Sequence, residues 1–222
     1  MIWVKICATT NLPDAQASLA AGADALGFIF APSSRRIGIE QAAEIISSLT
    51  DDIDKIGVFV NQTPAQVAEV AERAGLTGVQ LHGDEPADRM PEYRQAVGQR
   101  KIIKTLQARE LLNSPDSLKG YLRSRQSIDA ILLDAGSPNQ RGGTGQTFDW
   151  TAAAPIVARV RAQMPVIIAG GLNPENVAEA IRLFAPWGVD VVSGVEREVG
   201  RKDEASLRRF VGAARQTQAT LR

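Results

Sequence analysis

Four stretches of this 222-residue chain carry residues able to do chemistry. VKIC ends in Cys7, the only cysteine, and AILLD ends in Asp134. IAGGLNPENV brings Gly170 and Gly171 to the start of a helix-like segment, and VVSGVERE brings Ser193 and Gly194 to a second turn. A thiol titrates near about 8.5, so it needs only modest activation to remove a proton at neutral pH. A carboxyl group facing it across one opening would supply the acid of an acid–base pair. The two glycine turns suit a phosphate, because bare backbone approaches a ligand closely and a helix N-terminus offers N–H groups to an anion. Each has a plain alternative: Cys7 as a small buried hydrophobe, Asp134 as a loop cap in DAGS, and the glycines as ordinary turns.

Those residues need elements to place them, and the chain alternates two kinds. Short β-branched runs fall at Val4–Cys7, Ala25–Phe30, Lys55–Val60, Gly78–Leu81, Lys101–Thr105, Ala130–Asp134, Pro165–Ala169 and Gly188–Val192. Their length suits buried parallel strands. Helical spacing fills Pro13–Ala21, Ile39–Leu49, Pro64–Ala74, Pro86–Val97, Thr151–Arg161, Pro174–Phe184 and Ala205–Ala214, with a weaker candidate at Pro115–Leu122. Eight strands alternating with helices predict a single-domain (β/α)8 TIM barrel over residues 1–222, with a doubly wound open sheet as competitor.

PAQVAEVAERAGLTGVQ, from Pro64, also aligns without a gap on PENVAEAIRLFAPWGVD, from Pro174. Two half-barrels would give such an offset. Independent selection for good helix starts would give it too.

In a barrel the strand C-termini carry the site. Cys7, Arg35 and Arg36, Asn61, Gln80 and His82, Asp134, Gly170 and Gly171, and Ser193 and Gly194 all fall there. RGGTGQ (Arg141 to Gln146) lacks the GK[ST] ending of a phosphate loop and reads as a lid. His82 is the only histidine, so neither a histidine metal centre nor a serine triad is expected, and His82 reads as a structural or rim residue.

Composition narrows the partners. Lys plus Arg and Asp plus Glu number 25 each, so bulk charge favours neither nucleic acid nor an anionic membrane. No apolar run approaches the length of a membrane span. One cysteine allows no internal disulfide, and no leader pattern precedes the first strand, so a cytoplasmic protein is expected.

Taken in order, VKICATTNLPDA, GFIFAPSSRR, GVFVN, VQLHGDE, LLDAGSPNQRGGTGQTFDW, GGLNPENV and VDVVSGVE resemble the phosphoribosylanthranilate isomerase family of tryptophan biosynthesis, from Val4 to about Asp203. The resemblance implies a barrel without cofactor or metal and a phosphorylated small-molecule substrate, in a monomer or homodimer. It implies an Amadori rearrangement of N-(5-phosphoribosyl)anthranilate to the 1-amino-1-deoxyribulose phosphate. By the same resemblance Cys7 is the base and Asp134 the acid. Arg36, with Arg35 its neighbour, binds the anthranilate carboxylate, and Gly170, Gly171, Ser193 and Gly194 hold the phosphate.

Two positions depart from the family pattern. Ala8 stands where a glycine is usual, and Val192 where a serine is frequent. Ala8 is expected at negative φ. Alternation along the strands places Lys5 below Cys7 and Asp190 below Val192, so the two are expected to face inward and pair. The rival readings are a histidine-pathway isomerase, which the family pattern gives an aspartate in place of Cys7, and a phosphate-binding barrel without catalysis.

Overall fold

The computed structural model describes residues 1–135 and 149–220. Eight parallel strands close into a ring in chain order: β1 (Trp3–Ile6), β2 (Ala25–Ile29), β3 (Asp54–Phe59), β4 (Gly78–Leu81), β5 (Lys101–Gln107), β6 (Ala130–Asp134), β7 (Val166–Ile168) and β8 (Gly188–Val191), with β8 pairing back onto β1. Closure excludes the open-sheet alternative. Around the ring run α1 (Leu12–Ala20), α2 (Ile39–Ser47), α3 (Pro64–Ala74), α4 (Met90–Val97), α5 (Ala108–Asn113), α6 (Leu118–Arg123), α7 (Trp150–Arg161), α8 (Val177–Phe184) and α9 (Glu204–Thr220).

Local chemistry explains the boundaries. Pro64 opens α3 behind Thr63, whose hydroxyl accepts the Gln66 N–H while the Gln66 side chain accepts the Thr63 N–H, and Gly75 ends it at φ 71°. The expected start of α8 at Pro174 moves to Val177, because residues 173–176 form a turn held by side chains. Asn173 accepts the N–H groups of Glu175 and Asn176 at 2.9 and 3.0 Å, and Asn176 donates to the Gly171 carbonyl at 3.0 Å. Those two N–H groups therefore serve Asn173 and not an anion.

The internal alignment acquires a structural counterpart. α3 and α8 end at Ala74 and Phe184, both followed by a left-handed residue (Gly75 and Ala185), and β4 and β8 span Gly78–Leu81 and Gly188–Val191. Each pair is offset by 110 residues, and the two strands lie opposite in a ring of eight.

Two cores result. A large one packs the outer strand faces against the helices. A small one, of Trp3, Ala25, Ile56, Ile103, Ala130, Leu132, Ile167 and Ala169, fills the lower barrel. Counting by twos from these residues, Lys5 and Cys7, Gly27, Thr105 and Asp134 also face inward, as does Gln80 between the outward Val79 and Leu81, so the interior turns from apolar to polar toward the strand C-termini. At the opposite end Trp187 stacks on Trp3, with centroids 5.0 Å apart, and Phe184 is buried edge-on to Trp150.

A hairpin that the polar run EREVGRKD did not announce follows β8. It comprises β9 (Glu196–Glu198) and β10 (Arg201–Lys202), paired antiparallel. The glycine-rich RGGTGQ stretch lies outside the described residues.

Candidate active site

Cys7 stands one residue beyond β1, buried, its N–H bonded to the Val191 carbonyl on β8 at 2.9 Å. Two residues on, the Thr9 N–H bonds to the Gly27 carbonyl on β2 at 2.8 Å. The chain thus changes partner strand between residues 7 and 9, and Ala8 absorbs the change at φ 64°. This overturns the expectation of a negative φ. A left-handed alanine costs about 1 kcal/mol, so the surroundings must impose it. Gly27 leaves room for the thiol: a methyl there would lie 2.5 Å from the sulfur.

Below Cys7, Lys5 donates to Asp190 at 2.8 Å inside the barrel, as alternation predicts. Burial alone would push the Lys5 ammonium down, but Asp190 and Cys7 together raise it above the ordinary lysine value. Burial pushes the Cys7 thiol up, opposed by the positive charges of Lys5 and Lys202. Any thiolate formed here is supported by those two ammonium groups.

Asp134 closes β6, buried, and shares one concavity with Gly170, Gly171, Asp190, Val192 and Ser193. The structure therefore brings the acid candidate and most of the phosphate candidates together. The glycines of loops seven and eight have a further reason to be glycine. A methyl on Gly170, at φ 84°, would meet the Ala135 backbone at 2.3 Å, and one on Gly194 would meet the Leu172 carbonyl at 2.0 Å. The bare backbones pack the loops after β6, β7 and β8 against one another.

Two neighbouring arginines part company. Arg35 is buried and makes a bidentate pair with Glu196 of β9, with contacts of 2.7 to 3.0 Å. Arg36 is exposed beside the end of β2, and its side chain makes no hydrogen bond to the described residues. Arg35 is thus committed to structure, which leaves Arg36 as the arginine able to meet a ligand.

Sequence reading missed Lys202, Thr105, Lys104 and Glu85, and it placed Gln80 and His82 at a strand end without their contacts, because these meanings are only spatial. Lys202 is buried and donates to the Cys7 carbonyl at 2.6 Å. Gln80 lies 2.9 Å from His82 Nδ1 and donates to Thr105 at 3.2 Å. His82 is held neutral, its pKa lowered to about 4 by burial and then by Lys5. Lys104 and Glu85 pair at 2.6 Å, wholly buried, under a hollow of about 220 Å³ lined in part by Thr105, Gln107 and Tyr121. Among the described residues, no group of three His, Cys, Asp or Glu could hold a metal ion, and no helix is long and apolar enough to cross a membrane.

With this geometry in view, comparison places the chain among known proteins. The family model for N-(5'phosphoribosyl)anthranilate (PRA) isomerase matches residues 4–213. An N-(5'-phosphoribosyl)anthranilate isomerase of Geobacter sulfurreducens is 46% identical over 97% of this chain and 99% of its own. The crystal structure of phosphoribosyl anthranilate isomerase from Thermotoga maritima is 38% identical, with a TM-score of 0.83 over 97% of this chain and 100% of its own. Another isomerase structure, in complex with reduced 1-(o-carboxyphenylamino)-1-deoxyribulose 5-phosphate, is 37% identical, with a TM-score of 0.80 over the same shares.

Proposed function

Because the chain belongs to the N-(5'-phosphoribosyl)anthranilate isomerase family and carries out that family's reaction in tryptophan biosynthesis, we propose that Cys7 is its base and Asp134 its acid. The reaction is an internal redox exchange. The ribose opens to a protonated imine at C1, the C2 proton leaves, and the enolamine takes a proton at C1 as C2 becomes a ketone. Carbon 1 is reduced and carbon 2 oxidised, so the atoms and electrons balance within the substrate.

Asp134, protonated, gives its proton to the ring oxygen as the C1–O bond breaks. The Cys7 thiolate then removes the C2 proton, which the adjacent iminium has made acidic. Each proton transfer by a positioned group is worth about 10²- to 10⁴-fold. The observation that carries this reading is the shared inward orientation of Cys7 and Asp134 at the polar end of the barrel, with the loop-seven and loop-eight turns beside Asp134. Gly170, Gly171, Ser193 and Gly194 hold the phosphate. Arg36 takes the anthranilate carboxylate, the role for which Arg35 is not free. All these residues come from one barrel, so a monomer or a homodimer serves equally, and the cytoplasm is the compartment we assign.

The test follows the fluorescence of phosphoribosylanthranilate generated in the cuvette. The parent should consume it. Folded Cys7→Ser and Asp134→Asn variants should each lose about a hundredfold or more in kcat. Near-parent turnover by either variant would remove that residue from the mechanism.

A further inference from the structure

The β9–β10 hairpin folds back over the C-terminal end of β1, and Lys202 is the side chain it inserts. The Nζ of Lys202 donates to the Cys7 carbonyl at 2.6 Å, lies 3.3 Å from Glu196 Oε1 and reaches the Val192 carbonyl at 3.4 Å. Its backbone N–H donates to Asp14 of α1 at 3.0 Å. Glu196 in turn binds Arg35, next to Arg36. One buried ammonium thus joins the turn bearing the thiol, the residue before Ser193 and, through Glu196, the loop bearing Arg36.

We propose that Lys202 is a positioning residue of the isomerisation: its bond to the Cys7 carbonyl fixes the left-handed turn at Ala8 and hence the direction of the thiol, and its charge favours the thiolate. The proposal rests on Cys7 being the base. A left-handed alanine persists only where its surroundings over-determine it, and the Lys202 bond sits on the carbonyl that precedes Ala8.

Five charged groups bear on the thiol's neighbourhood besides Lys202. Lys5 lies on its own strand and Asp190 on β8, while Glu196 on β9 and Arg35 stand behind Lys202. Asp14 of α1 touches the Lys202 backbone, and β2 brings uncharged Gly27. Burial pushes the Lys202 ammonium below the ordinary lysine value, while Glu196 and Cys7 oppose that shift.

Lys202→Gln keeps a donor and removes the charge, and Lys202→Met removes both. For either folded variant, the limb of the kcat/KM–pH profile that reports the thiolate should move up by about one unit, as removing a charge at this range implies. Activity at pH 7 should then fall by up to about tenfold, while KM changes little. Titrating the thiolate by its ultraviolet absorbance should give the same shift, with no contribution from other cysteines because Cys7 is the only one. Lys202→Arg, which retains charge and donors, should keep the parent limb. A lowered unfolding midpoint with an unchanged thiol titration and unchanged kcat would make Lys202 merely structural and overturn the proposal. Because the absorbance reads the thiol whether or not it is catalytic, an active Cys7→Ser variant would refute the base assignment separately.

Discussion

Lys5 and Asp190, 185 residues apart in sequence, meet at 2.8 Å inside the barrel, one inward position below Cys7. The pair closes the ring where β8 returns to β1, with Lys5 and Asp190 directly in register. Breaking a buried pair from one side leaves a charge without compensation, at a cost of about 3–5 kcal/mol. Lys5→Met should therefore lower the urea stability by about that amount. Adding Asp190→Leu should restore most of it. A double variant no more stable than the single one would show that the pair's charges are not what the interior depends on.

Ala8→Gly should stabilise the protein. Relief of a left-handed alanine is worth about 1 kcal/mol, partly offset by the greater freedom of glycine in the unfolded chain. The thermal midpoint should rise by about 2–4 °C or somewhat less. A lower midpoint would mean that the Ala8 methyl contributes more by packing than it costs in backbone strain.

Arg35 and Arg36 should separate cleanly in experiment. Arg36→Met should raise KM by about ten- to a hundredfold, the worth of a hydrogen bond to a charged group, with the unfolding midpoint unchanged. Arg35→Met should instead lower stability, by at most about 3 kcal/mol, because the buried Glu196 carboxylate loses its bidentate partner and keeps only Lys202 as a cation. Parent-like KM in Arg36→Met would move carboxylate recognition elsewhere.

His82 sets an acid limit. Its folded pKa of about 4 lies below the ordinary value of 6.5, so between those two pH values the unfolded chain binds a proton that the folded one refuses. Stability is intact above pH 6.5 and falls as pH drops toward 4, by at most about 3 kcal/mol. Comparing urea midpoints of the parent and His82→Gln at pH 7 and pH 4 isolates this contribution from the carboxylates. The variant should lose less stability on acidification; equal losses would mean that the histidine is not held neutral.

The barrel was legible because β-branched runs of four to six residues alternate with helical spacing, and because Cys7, Asp134 and the glycine turns all fall at run ends. Lys5 and Asp190 were legible from the period of two. Ala8 was not, because its φ is set by a change of partner strand that no local residue announces. Pro174 misled because proline suits both a first helical position and the turn that Asn173 and Asn176 build before α8. Lys202 was hidden for a different reason: in a polar run such as EREVGRKD, a lysine reads as solvated until the hairpin folds it against Cys7.

The contact between Lys202 and the Cys7 carbonyl also orders events during synthesis. Cys7 leaves the ribosome 195 positions ahead of Lys202, whose ammonium binds its carbonyl. A nascent chain that has exposed all eight strands still has the Cys7 turn without its Lys202 contact. The barrel can close before the β9–β10 hairpin docks, and on the roles proposed for Cys7 and Lys202 the site is complete only once it has.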